Sequence, residues 1–301
     1  MKTIENCQKC GVNTTLIKNG KNNQGIQRYK CKVCGKTFIL DQSSTKHLRL
    51  SNHKLKRLIG FMIDDVTLEV IARNLELNMK TVLYYRYLVF HALNDYQSEV
   101  ILDGTILIDE TFISIREKEY KLVRADGKGI RGLSFNQLCI VTMVNLFGIS
   151  VAKATSRAMP LPYQYINNFT KNIGKAVAFV HDGNTKTYQF INQFDAKKIN
   201  GRKDDSEEYS TIIIDSYHSN LKRFLFKHHG YRLKNIQHYL NFFVYRQNYL
   251  ARKRIKNMTH QKEIKNEMIK DLFNRVKKNL KTVTYKTFLD DRGIIEILEN
   301  R

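Results

Sequence analysis

The spacing of hydrophobic positions divides the chain into stretches of different period. Between residues 53 and 93 the period is helical. Leu55, Leu58, Ile59 and Met62 share one face, Asp64-Asp65 interrupts it, and Leu68, Ile71, Ala72 and Leu75 form a second face after Thr67, which can cap a helix. Glu76-Leu77-Asn78 reads as a short turn, and Asn78 as the N-cap of a third helix from 79 to about 93, with Lys80, Thr81, Tyr84, Tyr85 and Arg86 near its start. Two helices joined by so short a turn, the second rich in donors and aromatics, predict a helix-turn-helix over residues 46–100. Lys80, Thr81, Tyr85 and Arg86 are its expected DNA contacts. An ordinary helical linker with its tyrosines in a core stays open as the alternative.

Beyond Asp103-Gly104 the period becomes strand-like. Residues 105–108 are a β-rich run ending in Asp109-Glu110, and 138–144, 149–154, 176–180 and 211–214 read as further strands. Residues 162–173 and 185–194 read as helices between them, so the middle of the chain is α/β. Three strands thereby carry an aspartate at or near their carboxyl ends: Asp109, Asp182 and Asp215. An unpaired carboxylate closing an apolar strand is costly unless it meets a cation or donors. Three of them at one sheet edge can hold two Mg²⁺ or Mn²⁺ ions, which activate the attacking oxygen and stabilise the leaving oxygen of a phosphodiester. Taken singly, each also reads as structure: a strand end, a turn at Asp182-Gly183, a helix cap at Asp215.

The first 45 residues lack a sizeable apolar set. Instead Cys7-Gln8-Lys9-Cys10 and Cys31-Lys32-Val33-Cys34 stand with twenty residues between them. Two such turns, each followed by a glycine (Gly11, Gly35), make a closed tetrahedral S₄ shell, so Cys7, Cys10, Cys31 and Cys34 are expected to hold structural Zn²⁺ in a zinc ribbon. Asn19-Gly20 and Gln24-Gly25 are turn signals, and residues 26–30 a short strand leading into the second pair. Cys139, inside an apolar run, reads as a buried small hydrophobe.

Composition changes the picture in one respect. Over 301 residues, 51 Lys and Arg stand against 28 Asp and Glu, a net charge of +23, while 42% hydrophobic residues are too many for a disordered basic tail. The excess is uneven: 13 basic against 2 acidic residues in 1–60, 20 against 7 in 216–301, and 18 against 19 between. Basic flanks around a neutral centre suit phosphate contacts around a reactive middle. The apolar stretch 138–152 is too short and too interrupted to span a bilayer, and the first ten residues lack the core of a secretory signal, so a reducing, cytoplasmic setting is expected.

The run 27–38, then Asp109-Glu110-Thr111, Arg131-Gly132-Leu133-Ser134 with Gln137, His181-Asp182-Gly183, and Asp215-Ser216-Tyr217-His218-Ser219-Asn220-Leu221-Lys222-Arg223, resembles bacterial insertion-sequence transposases of the zinc-ribbon DDE type. The resemblance implies an RNase H-like mixed sheet flanked by helices over 101–235, preceded by the ribbon (1–45) and the helix-turn-helix (46–100) and followed by a basic helical region (236–301). It implies Asp109, Asp182 and Asp215 as catalytic metal ligands, Asp215 standing where the family commonly has Glu, Asn or His. His218, Lys222 and Arg223 become DNA contacts. The implied activity is metal-dependent cleavage at terminal inverted repeats followed by strand transfer, by a homodimer or higher oligomer on double-stranded DNA, in the bacterial cytoplasm at the nucleoid. Two rivals remain: a zinc-ribbon and helix-turn-helix transcription regulator without catalysis, and an RNase H-like nuclease or resolvase.

Overall fold

The computed structural model describes residues 3–7, 10, 12–21, 27–38, 50–127, 130, 134–202, 211–228, 231–279 and 285–299. The chain forms two compact units, Met1–Ser51 and Asn52–Arg301. No helix among the described residues is long and apolar enough to cross a membrane.

The first unit is an antiparallel sheet of β1 (Thr3–Asn6), β2 (Asn13–Lys21), β3 (Gln27–Cys31) and β4 (Thr37–Phe38), in that order. Among its described residues the core is small: Cys7, Leu16, Cys31 and Phe38, with Tyr29 and Cys34 against them. So little apolar surface cannot offset the chain entropy of ordering the unit, which is the physical reason to expect a metal. The predicted turn at Asn19-Gly20 falls inside β2, where the register against β3 shifts between Lys18 and Lys21. Gly11 and Gln24-Gly25 lie outside the described residues.

The second unit is built on a five-stranded mixed sheet. Antiparallel β5 (Leu102–Ser114), β6 (Gln137–Asn145) and β7 (Ser150–Arg157) are extended by β8 (Ile173–His181) and β9 (Lys197–Asn200), both parallel to their neighbours, in the order β7-β6-β5-β8-β9. This is an RNase H-like sheet flanked by helices. On one side α4 (Pro162–Phe169) and α5 (Thr185–Ile191) bury Tyr165, Phe169 and Phe190. Each such ring removed from water contributes about 1.5–3 kcal/mol. Helix α6 (Ile212–Lys227) contacts β5 and β6, and α7 (Ile236–Ile255) contacts β7. Edge strand β7 is closed by side chains rather than by another strand. Gln97 accepts from Ala152 N and donates to Ala152 O, Gln237 accepts from Ala154 N, and Asn248 accepts from Ser150 N. An edge satisfied in this way offers no template for pairing.

Before the sheet come α1 (Asn52–Ile63), α2 (Leu68–Leu75) and α3 (Met79–His91); Asn78 caps α3 by accepting from Lys80 N. After α7 come α8 (Gln261–Asn279), α9 (Tyr285–Leu289) and α10 (Ile295–Glu299). Helix α8 packs on α1 and α3, burying Ile264, Met268 and Leu272, and Lys265 reaches Asp64 at 2.5 Å.

The structure corrects two readings of the middle. Residues 211–214 are not a strand. Ile214 is buried while Ile212 is 72% exposed, and Ile214, Tyr217, Leu221 and Phe224 continue one helical face, so Asp215 sits in the first turn of α6. Asp109 lies within β5 and not at its end, because β5 runs on to Ser114 against β6. Strand β9 has no counterpart in the sequence reading.

Candidate metal centre and catalytic cleft

In the first unit the cysteine sulfurs of the two C-x-x-C turns converge. Cys7 Sγ lies 3.7 Å from Cys34 Sγ and Cys10 Sγ 3.9 Å from Cys31 Sγ, with all four within 4.8 Å of one another. A tetrahedral zinc with Zn–S bonds of about 2.3 Å has sulfur-to-sulfur edges of about 3.8 Å, so the donor set and spacing fit that ion. A hydrogen bond from Val12 lowers the proton affinity of Cys10, but the crowding of Cys7, Cys34 and Cys31 outweighs it and pushes the thiol up to about 12. A divalent cation would reverse that crowding by favouring thiolates. The four-cysteine cluster fits a zinc ribbon.

In the second unit the sheet brings carboxylates together by register. Leu107 of β5 pairs with Val180 of β8, so two residues further on Asp109 faces Asp182. The turn that aims Asp182 depends on Gly183, whose φ is +88° and where a Cβ would come 2.7 Å from Asn200 Nδ2. Asp182 Oδ1 accepts from Asn184 N at 2.9 Å and Oδ2 from Arg202 at 3.2 Å. From across the cleft α6 contributes Asp215, exposed in its first turn, where the helix N-terminus favours negative charge. Asp109, Asp182 and Asp215 line one cleft of about 160 Å³ with His181, Arg202 and Thr211.

The tightest acidic group is not the expected trio. Oxygens of Asp109, Glu110 and Asp182 lie within 4.8 Å of one another, while Asp215 stands in the cleft wall outside that set. Glu110 is held by Tyr165 and by Thr187 Oγ1, which donates at 2.7 Å. Its role was not assigned from sequence, although strand alternation from Asp109 and the β-run around it were legible. Burial pushes the Asp109 carboxyl up to about 7, with Glu110, Asp182 and Asp215 adding to the rise. Burial likewise raises Glu110, against the hydrogen bonds from Tyr165 and Thr187. Carboxylates this close favour a cation between them or a shared proton. The oxygen donors suit a hard divalent ion.

The remaining expected residues divide by exposure. Lys80, Lys222 and Arg223 are exposed and Thr81 is half-buried. Tyr85 and Arg86 are 3% and 5% exposed, which corrects their reading as surface contacts of a recognition helix. α3 is enclosed by α1, α7, α8 and α9, so that part of it faces inward. His218 is buried too, with Nδ1 3.5 Å from Asp109 Oδ2 and Nε2 without a hydrogen-bond partner among the described residues. Burial and Lys222 push its pKa down to about 4, against Asp215, leaving the ring neutral beside the carboxylates. Cys139 is fully buried, and burial raises its thiol above the ordinary range. Arg131, Gly132 and Leu133 lie outside the described residues.

Residues 101–248 match the family model of the ISXO2-like transposase domain. A solved structure described as a pre-cleavage Mos1 transpososome aligns over 78% of this chain and 79% of its own, at 11% identity and a TM-score of 0.27, a likeness too low to carry an argument. No curated protein matches the chain by sequence. The match spans the mixed sheet, the acidic cleft and helices α6 and α7 up to Asn248, and over that span the chain is similar to an ISXO2-like transposase domain.

Proposed function

We propose that the protein cuts and joins DNA at the terminal inverted repeats of an insertion sequence, using divalent ions held by Asp109, Asp182 and Asp215. The observation that carries this reading is the single cleft lined by those three side chains. Magnesium or manganese bound there would supply charge neutralisation at the attacked phosphate and a more acidic attacking water. Asp109 and Asp182 are placed by paired strands and Asp215 by a helix packed across them, so the donors are rigid before substrate arrives. Positioning and electrostatic preorganisation are the main terms in phosphoryl transfer, where the protein forms no covalent bond.

Glu110 joins the cluster with its oxygens within 4.8 Å of those of Asp109 and Asp182, steadied by Tyr165 and Thr187. Neutral His218 keeps its proton out of the charge balance and supports the orientation of Asp109. Exposed Lys222 and Arg223 on α6 suit the phosphate backbone of an end bound across the cleft, and Lys80 and Thr81 suit duplex contact by α2 and α3 acting as a helix-turn-helix. Zinc held by Cys7, Cys10, Cys31 and Cys34 would order the basic N-terminal unit for the same task. Joining two element ends calls for a dimer or larger assembly, and the setting is the bacterial cytoplasm at the nucleoid.

The test is strand transfer of a labelled inverted-repeat end in Mg²⁺. Cleavage with joining is expected. Binding without cleavage points to a regulator, and cleavage of branched DNA without joining points to a resolvase; either outcome would falsify the proposal.

A further inference from the structure

Two arginines of the second unit are buried to the same degree and solvated very differently. Arg157, 6% exposed, donates to three carbonyl oxygens, those of Phe135, Leu298 and Tyr120, each at 2.6 Å. Arg86, 5% exposed, has no hydrogen bond or ion pair with any described residue. Its guanidinium stands over the rings of Tyr239 at 4.8 Å and Phe90 at 5.3 Å. Ring faces attract a cation but are weak acceptors for its five N–H groups, so these donors are left to the pocket that Arg86 lines.

The nearest acid does not close that account. Asp65 lies close enough to act on Arg86 through its charge, but its oxygens are taken by His228 at 2.7 Å, Lys227 at 3.6 Å and Arg246 at 3.7 Å. What Arg86 does face is a pocket of about 600 Å³, whose wall also includes Lys227, Arg232, Lys234 and Tyr239, with one acid, Glu69, that is paired to Arg73. Arg232 is exposed and likewise makes no side-chain hydrogen bond or ion pair among the described residues. A buried fork of donors opening into a cationic pocket has the chemistry of an oxyanion receptor.

We propose that this pocket takes a phosphate of the DNA backbone, with Arg86 as its buried donor and Arg232 at its rim. The proposal rests on the DNA-binding reading above, because α2 and α3 flank the pocket, and it adds a phosphate anchor that shares no lining residue with the acidic cleft. Such an anchor fixes the register of a bound duplex without reading its bases.

The test uses the zinc-loaded full chain and Arg86→Met, which keeps the apolar stem over the two rings. Inorganic phosphate is expected to raise the melting temperature of the parent protein and not of Arg86→Met. Without phosphate the variant is expected to melt no lower, since an unbonded buried charge has been removed. Affinity for a short mixed-sequence duplex should fall about tenfold, and the slope of log affinity against log salt should shrink by about one. An equal phosphate response in both proteins overturns the site. So does a less stable variant whose phosphate response and DNA affinity are unchanged, which would make Arg86 a packing residue. A lost phosphate response with unchanged duplex affinity overturns the assignment to DNA and leaves a site for free phosphate. Failure of the parent protein to bind duplex at all would sink the DNA-binding reading itself, a result separable from each of these.

Discussion

Two clusters of acidic donors sit in the two units and solve opposite problems. Four sulfurs form a shell with edges of 3.7 and 3.9 Å, backed among the described residues by a core of Cys7, Leu16, Cys31 and Phe38. The carboxylates line an open cleft of about 160 Å³ in a sheet whose flanking helices bury whole aromatic layers. The first unit pairs a small described core with a sulfur set that fits an ion, whereas the second pairs a large core with carboxylates open to the cleft. A closed S₄ shell leaves no ligand position open, whereas carboxylates at a cleft mouth do.

The largest expected effect breaks the first half of that comparison. Cys31→Ser removes a buried thiol shared by the sulfur shell and the small core, so the first unit should lose its protected backbone amides almost entirely while the second keeps its own. Hydrogen exchange measured on both units checks this, as does chelation of the metal. Equal protection in the variant would show that the strands hold without the shell.

Next comes the cleft. Asp182→Asn leaves its hydrogen bond from Asn184 feasible but removes a charge at the centre of the cluster, and cleavage should fall by about 10²–10³ or more with duplex affinity nearly unchanged. Glu110→Gln should cost less, about 10–100-fold, because Glu110 is tied to Tyr165 and Thr187 on its far side. If the order were reversed, with Glu110 the more damaging site, the acid set would be Asp109, Glu110 and Asp182, and Asp215 would belong to the wall. Single-turnover cleavage rates of the two variants decide.

Much of this was legible because residue identity carries the chemistry. Cysteine spacing alone marks the sulfur cluster, and a carboxylate inside one β-run and another closing an apolar strand mark Asp109 and Asp182 as cleft residues. The misreadings share a cause: they depend on what packs against a segment. The β-branched run 211–214 reads as strand until one sees that Ile214 alone turns inward and starts the helical face continued by Tyr217 and Leu221. Tyr85 and Arg86 read as surface contacts, but both are buried, Arg86 against Tyr239 of α7, and the packing of helices around α3 has no local signature. Glu110 carries no local signal beyond its place beside Asp109 in a β-run, and only the assembled sheet brings its oxygens within 4.8 Å of those of Asp109 and Asp182.

A third charged cluster sharpens the comparison, because it needs no ion. Asp65, at φ 61° between α1 and α2, bonds His228 at the end of α6 and lies near Lys227 and Arg246. Burial raises its pKa, but the hydrogen bond from His228 and the charges of Arg246 and Lys227 outweigh that and hold it below the ordinary carboxylate value. Burial also lowers the pKa of His228, more than its bond to Asp65 raises it. Both groups therefore have folded-state values below their unfolded ones. Each contributes stability that is present above its unfolded pKa and lost as pH falls through the folded one. The loss should begin below about 6.5 through His228 and continue below about 4 through Asp65. Asp65→Asn should cost about 1–3 kcal/mol near neutral pH, the smallest effect of the series, and its deficit against the parent should shrink as the parent's carboxylate becomes protonated. Melting temperatures of both proteins between neutral pH and about pH 3 measure that convergence; a gap that stays constant across the range would mean that Asp65 acts through shape and not through charge.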